Sequence, residues 1–402
     1  MRTAMRWLRG EQGNIAILFA FMLPLVLGAA AFGVETTLWY QARLRLQEQA
    51  DAAAFASVLD KKAGASNATI TAAATSAATA NGFVVANGAI TVNAPPASGS
   101  SGPNAVEVIL TANQTRYFTA LFTSAPLTMR ARAVAKYTQN GAACILALDP
   151  SASGAAHFSG SSSLTLNGCS VMANSTSSTA VSMQGNAASL SAECIYAAGG
   201  VSLNSHVTLN CGSAVGGASP IADPFAGLPP PTDASACKTV SGTTLNPGNY
   251  CSGFSMNGGN VTLNPGVYII SGGAFKLNGN LTLTGTGVTF YIKSGTSISM
   301  NGNSTVNLTA PTTGTYAGML FFGERTNTAS HLFNGNNSSH MTGNLYFAGG
   351  TVGYSGSFSG QNGCTQIVAN QVDWTGNSSF SIDCSTYGMS TIPTSTTAKL
   401  SE

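Results

Sequence analysis

From residue 254 onward, apolar and polar positions alternate in short runs, and the runs repeat. The segments FSMNGGNVTLNPGVYIISGG, FKLNGNLTLTGTGVTFYIKSG and ISMNGNSTVNLTAP each open on a bulky residue, a spacer, a second bulky residue and Asn-Gly. Phe254 to Phe275 is 21 residues and Phe275 to Ile298 is 23. Earlier copies begin at Leu164 (LTLNG), Val181 (VSMQG) and Val201 (VSLNS); weaker later ones begin at Phe333, Phe358 and Trp374. Alternation at period two predicts strands with one buried face, and Asn-Gly and Pro-Gly mark the corners between them. So short a strand buries nothing alone, and a repeat of this length stabilises itself by stacking coil on coil. The expected fold of residues 141–386 is a right-handed parallel β-helix, with a β-sandwich as the alternative. Leu281 and Leu283 are expected to point inward and Thr282 outward. The prolines of ASPIADPFAGLPPPTDASAC interrupt the pattern, so residues 214–236 are expected to form a loop leaving the coil stack.

The N-terminal pattern is different. From Ile15 to Leu38 the only charge is Glu35. As a helix this stretch is about 36 Å long, against a hydrocarbon core of about 30 Å. Residues 13–38 are therefore expected to be a transmembrane anchor. Arg2, Arg6 and Arg9 precede it, which places residues 1–12 in the cytoplasm. Glu35 is expected at the far interface beside Trp39 and Tyr40, because a carboxylate at the bilayer centre costs roughly 3 kcal/mol. A cleaved signal peptide ending near Ala29-Ala30-Ala31 is the competing reading; the apolar run continuing through Phe32, Val34 and Leu38 favours a retained anchor. Residues 39–80 continue as a juxtamembrane helix with Leu44, Ala50, Ala54 and Val58 on one face, residues 60–80 either extending it or fraying. Residues 81–140 read as a small α+β domain. Its strands are 89–93, 105–112 and 127–137, and a short helix at 115–123 turns Tyr117, Phe118, Leu121 and Phe122 to a core. Arg130, Arg132 and Lys136 form a basic edge, read as a solvated strand face. Residues 387–402 are a C-terminal tail.

Residues 10–60 resemble the N-terminal segment of the TadE/TadG-like proteins of the tight-adherence (Tad/Flp) pilus system. The resemblance is carried by Gly13 and Ala16 in GEQGNIA, Pro24 within the apolar run, Glu35 near its end, and Leu46, Gln47 and Asp51 in LQEQADAAA. Pilin-like members carry Glu five residues after the Gly that precedes the apolar run; this chain has Leu18 there, so the resemblance is to the uncleaved, TadG-type member. It implies a bacterial inner-membrane protein, its bulk periplasmic, serving as a structural component of pilus assembly and surface attachment. The implied partners are the lipid bilayer and other Tad pilus assembly proteins.

Composition narrows the alternatives. Only 7% of the 402 residues are charged and the net charge is +2, which gives no footprint for a nucleic-acid partner. All eight cysteines, Cys144, Cys169, Cys194, Cys211, Cys237, Cys251, Cys364 and Cys384, lie after residue 140. None stands at zinc-ligand spacing, so no metal or cofactor is expected, and an even set in one region points to disulfides in an oxidising compartment. Stacked coils bring together residues about one coil apart, which predicts the sequential pairs Cys144–Cys169, Cys194–Cys211, Cys237–Cys251 and Cys364–Cys384. The acids of the repeat region, among them Asp149, Glu193, Asp223, Glu324 and Asp373, are scattered, whereas polysaccharide hydrolysis needs carboxylates in pairs. Glu324 and Arg325 read as a local ion pair, and Trp374 as a core residue. No catalytic residues are expected. A glycan-binding adhesin is the alternative role, and a polysaccharide-active enzyme a more distant one.

Overall fold

A computed structural model describes residues 12–62, 65–99, 102–185, 187–232, 236–381 and 383–401. The expected cytoplasmic stretch therefore lies, up to residue 11, outside the described residues. Two compact units form: one from residues up to Thr138 together with 397–402, the other from Gln139–Thr396.

In the first unit, helix α1 (Gln12–Lys62) runs unbroken for 51 residues. Helix α2 (Asn67–Ala80) follows as a separate element, its N-terminus capped by the Ser66 hydroxyl accepting from Thr69 N. It folds back along α1, which brings Asn81 O to the Gln49 amide at 3.1 Å. Residues 60–62 thus complete α1, and residues 67–80 neither extend it nor fray. The small side chains of Ala74 and Ala78 on α2, with Ala50, Ala53 and Ala54 on α1, share one core with Leu46, Val58 and Ile70. The face of α1 differs from expectation at one point: Leu46 is buried, and Leu44 is exposed.

The helices pack on an antiparallel sheet of β1 (Gly88–Asn93), β2 (Ala105–Gln114) and β3 (Leu127–Asn140), with Val92 opposite Val108 and Val108 opposite Ala133. Val106, Val108 and Leu110 of β2 and Ala131, Ala133 and Ala135 of β3 face the helices. Residues 395–400, read from sequence as part of a tail, are instead the fourth strand, beside β3. The β-helix is therefore an insertion between two neighbouring strands of this sheet. On β3 the basic edge is not wholly solvated. Arg132 Nε lies 2.6 Å from Oε1 of Glu107, which is buried on β2. Burial alone would raise the Glu107 pKa. Hydrogen bonds from Asn93, Arg132 and Ala97 N outweigh it and hold the carboxyl at about 2.

The second unit is a parallel β-helix with three faces. On one face the strands stack in the spatial order 248–250, 266–270, 288–292, 319–323, 343–347, 365–369, 143–147, 170–173 and 195–197, all parallel. The chain thus enters the middle of the stack at Ala143 and builds coils in one direction as far as Val215, which bridges to Tyr196. It then crosses to the opposite end, climbs from residue 244 to 381, and closes against its own first coil where Ile367 pairs with Ile145. Ile392 O accepts from Ala143 N beside that junction, so the unit's two ends meet.

The Pro-rich segment is the return crossing, which corrects its reading as a loop leaving the stack. The face it crosses carries an outward row of apolar residues, Ile269, Tyr291, Phe322, Tyr346, Val368, Leu146 and Met172, and Ile221 shares a buried cluster with them. Leaving that row in water would expose a large apolar patch. Asn174 pairs with both backbone groups of Ile221 at 2.8 Å, Tyr346 OH donates to Asp223 at 2.7 Å, and Arg325 donates to the carbonyls of Phe225 and Leu228. Tyr316 OH reaches Pro229 O. Arg325 is thus a clamp on the crossing and not the ion-pair partner of Glu324, whose carboxylate accepts from Ser294 N and Tyr291 OH.

Inside, alternation holds. Leu281 and Leu283 are buried, while Thr282 is half-buried on the outside in register with Asn260 and Thr305. Rings stack between coils: Phe254 on Phe275 at 5.1 Å, Phe290 on Phe321 at 5.1 Å and Tyr354 on Trp374 at 4.1 Å. At the Asn-Gly corners Asn278 donates to Asn257 at 3.2 Å, and Gly258 and Gly279 have φ of 78° and 66°, where a side chain would strain the backbone. The repeat length varies because corners absorb the extra residues, as the register shift between Asn257 and Gly259 shows. The disulfides are Cys144–Cys169, Cys194–Cys211, Cys237–Cys251 and Cys364–Cys384, each linking residues 14 to 25 apart.

Among the buried polar residues of the β-helix is an imidazole, His331. His331 packs on Phe347 with ring centres 4.1 Å apart, and neither ring nitrogen has a hydrogen-bond partner among the described residues. Burial lowers its pKa to about 4 from 6.5. Between those values the unfolded chain binds a proton that the folded chain does not, so stability falls as pH drops from 6.5 toward 4. The expected loss at pH 5 is about 2 kcal/mol. Urea unfolding at pH 7.5 and 5 checks it, and His331→Leu is expected to flatten the dependence; an unchanged slope in that variant would assign the acid sensitivity elsewhere.

Candidate functional site at the apolar helix

Helix α1 is the one described helix long and apolar enough to cross a membrane; its richest stretch has a mean hydropathy of 2.0. Leu18, Phe19, Phe21, Met22, Leu25, Val26 and Leu27 are all exposed, as a lipid-facing surface requires. Pro24 sits inside the helix, where it removes one backbone hydrogen bond, a loss that transmembrane helices tolerate. Among the shielded positions of α1, Gly28, Ala31, Glu35, Trp39, Ala42, Leu46, Ala50, Ala53 and Ser57 stand three or four residues apart, with the buried Ala54 and Val58 beside them. They form a single stripe, so the face that docks on the unit's sheet continues into the apolar half.

The residues that carry the family resemblance divide by what they touch. Gly13 and Ala16 lie in the first turns of α1. Leu46 is buried against the sheet. Gln47 donates to Asp51 at 2.8 Å and to the carbonyl of Arg132 at 2.9 Å, which ties the helix to β3. The alanines around Asp51 leave room for α2. This block is therefore the surface by which the helix docks on its own sheet.

Glu35 is 2% exposed. Its Oε1 accepts from Tyr117 N at 2.6 Å and Thr119 Oγ1 at 3.1 Å, and its Oε2 from Thr119 N at 2.8 Å. Three donors on a carboxylate are a strong arrangement where water is scarce. The loop that supplies them joins β2 to β3. It holds one 3-10 turn, Thr119–Leu121, in place of the expected helix, and Tyr117, Leu121 and Phe122 are exposed where a core was expected. The apolar residues there have helical spacing, but their backbone donors are drawn to Glu35. Sequence reasoning placed Glu35 at the interface and missed this loop; the signal was an acid at the end of an apolar run that needed donors. Arg116 closes the arrangement, donating to Ala125 O at 2.8 Å with its guanidinium 5.5 Å from the Trp39 ring centre.

The acids of the β-helix have structural partners. Asp149 caps Ser151 N and Ala152 N and accepts from Asn370 and Gln371, and Asp373 lies 3.5 Å from His157. Trp374 is buried under Tyr354. Among the described residues no three His, Cys, Asp or Glu side chains are grouped to hold a metal ion.

Residues 13–66, essentially the length of α1, match the family described as "Putative Flp pilus-assembly TadE/G-like". No curated protein and no solved structure matches the chain.

Proposed function

We propose, from the TadE/G-like segment at residues 13–66, that this chain is a membrane-anchored structural component of tight-adherence (Flp/Tad) pilus assembly that supports surface attachment. The observation that carries the reading is the coincidence of that segment with the single long apolar helix. The N-terminus lies in the cytoplasm and the β-helix in the periplasm, a placement supported by the arginines before the helix and the four disulfides after it. A retained anchor is favoured over a cleaved signal because α1 continues without a break through Ala29-Ala30-Ala31 into the folded unit. The β-helix acts as scaffold, not catalyst: its carboxylates serve turns and neighbours, and the aromatic row that would suit sugar stacking is covered by the Pro-rich crossing.

Two measurements test this. Alkaline phosphatase joined after Lys136 is expected to be active, and an inactive fusion with an active cytoplasmic reporter at the same point would reverse the orientation. In cells lacking the native copy, Glu324→Gln and Asp373→Asn are expected to restore pilus assembly and attachment fully. Loss of attachment in either variant, present and folded at normal level, would defeat the scaffold reading.

A further inference from the structure

The loop that Glu35 holds is more apolar than a solvated connection needs to be. We propose that residues 115–126 are a second membrane element: the loop lies along α1 and inserts Tyr117, Leu121 and Phe122 into the leaflet on the side of the folded unit, with the acyl–headgroup region of the bilayer as its occupant. The proposal rests on the reading of α1 as a membrane span.

Position is the first support. Glu35 lies within the apolar run of α1, and its bonds to Tyr117 N and Thr119 N place the loop at that depth. The Phe118 ring reaches further, its tip 3.7 Å from where a side chain would begin at Gly28, two helical turns deeper in the run.

Exposure is the second. Tyr117, Leu121 and Phe122 are 68%, 78% and 76% exposed. Their surface continues that of the lipid-facing helix, where Phe32, Val34 and Leu38, flanking Glu35 in sequence, are 50%, 63% and 44% exposed. Such a patch in water is costly and in a bilayer is favourable.

Backbone chemistry is the third. A segment that enters a membrane must satisfy its own polar groups. Tyr117 N and Thr119 N donate to Glu35, Leu121 N to Phe118 O, and Phe122 N and Thr123 N to Thr119 O. The carboxylate, the costliest group at this depth, is in turn saturated by the loop. Arg116 is the loop's single charge; it sits by Trp39, at the level where indoles and lipid phosphates meet.

The test uses the full chain in phosphatidylcholine–phosphatidylglycerol vesicles. An environment-sensitive fluorophore is placed on a single added cysteine in Leu121→Cys, Phe122→Cys, Leu25→Cys or Thr71→Cys, labelled without reductant. Leu25 reports the span, and Thr71, exposed on α2, reports water. Probes at 121 and 122 are expected to lose most of their emission to lipids with a shallow nitroxide and little to aqueous iodide. The probe at 25 answers to a deep nitroxide and the probe at 71 to iodide alone. In Glu35→Ala the probe at 121 is expected to shift toward iodide while the probe at 25 stays unchanged. If 25 is quenched by lipid but 121 and 122 behave like 71, the inserted loop is wrong and the span stands. If 121 and 122 are shielded from both quenchers, a protein surface covers them and the lipid assignment fails. If 25 is not quenched by lipid nitroxide, the membrane-span reading itself falls.

Discussion

Leu283→Asp is expected to unfold the β-helix at urea concentrations the parent chain withstands, while Thr282→Asp leaves the unfolding midpoint nearly where it was. The two residues are neighbours on one strand with opposite environments. The Leu283 side chain is fully buried between Val261 and Val306 of the flanking coils. Its replacement removes about 2 kcal/mol of apolar burial and places a carboxylate where no donor awaits it, for a total of roughly 5 kcal/mol. Thr282 stands outside between Asn260 and Thr305, neither of which is charged, so the change there is within about 0.5 kcal/mol. Comparable losses at both positions would show that the inward–outward alternation is not what stabilises the coil.

The second large effect concerns the insertion. Excising residues 139–396 and joining Thr138 to Thr397 through a short flexible linker is expected to leave a folded, membrane-bound unit that supports no attachment. The sheet keeps its fourth strand, which lies beside β3, and Ser401 N still donates to Val134 O at 2.8 Å. Ending the chain at Thr138 removes that strand, leaves β3 as an open edge, and is expected to cost a few kcal/mol and to promote aggregation. Protease resistance in membranes separates the two constructions, and attachment of complemented cells reads the function. Normal attachment by the excised chain would move the function into the anchor unit and leave the β-helix without the role proposed for it.

Much was legible without a fold. Alternation placed Leu281 and Leu283 inside and Thr282 outside, because a strand's side-chain direction is set by its own period. Asn-Gly marked corners for an equally local reason: Gly258 and Gly279 adopt left-handed backbone there. The sequential cysteine pairs followed from coil length alone. The apolar run and the block from Leu46 to Ala54 identified the helix and the family model it matches before any contact was known.

Other features depended on partners distant in sequence. Residues 115–123 have helical spacing, yet Glu35, more than eighty residues earlier, takes their backbone donors and leaves the apolar side chains outward. Glu324 and Arg325 are adjacent, yet in the turn that follows the strand Met319–Gly323 they reach different neighbours, and Arg325 finds the carbonyls of a crossing a hundred residues away. The Pro-rich segment looked like a departure from the stack because its prolines forbid a central strand; they do not forbid lying across one, and the apolar row beneath it requires cover.

The sequence alone determined the conformation of the repeats and of the apolar helix: strand, corner and the face each strand residue presents. Tertiary structure decided the order of the coils. Every coil follows the same grammar, so each stacks on any other with similar burial, and nothing local says that the coil begun at Ala143 rests on the one ending at Trp374. That choice is made where the ends of the unit meet and where Ile221, Asp223 and Phe225 engage three coils at once, two of them neighbours and the third farther along the stack. Those contacts exist only after the stack has formed, which is why no stretch of the chain announces them.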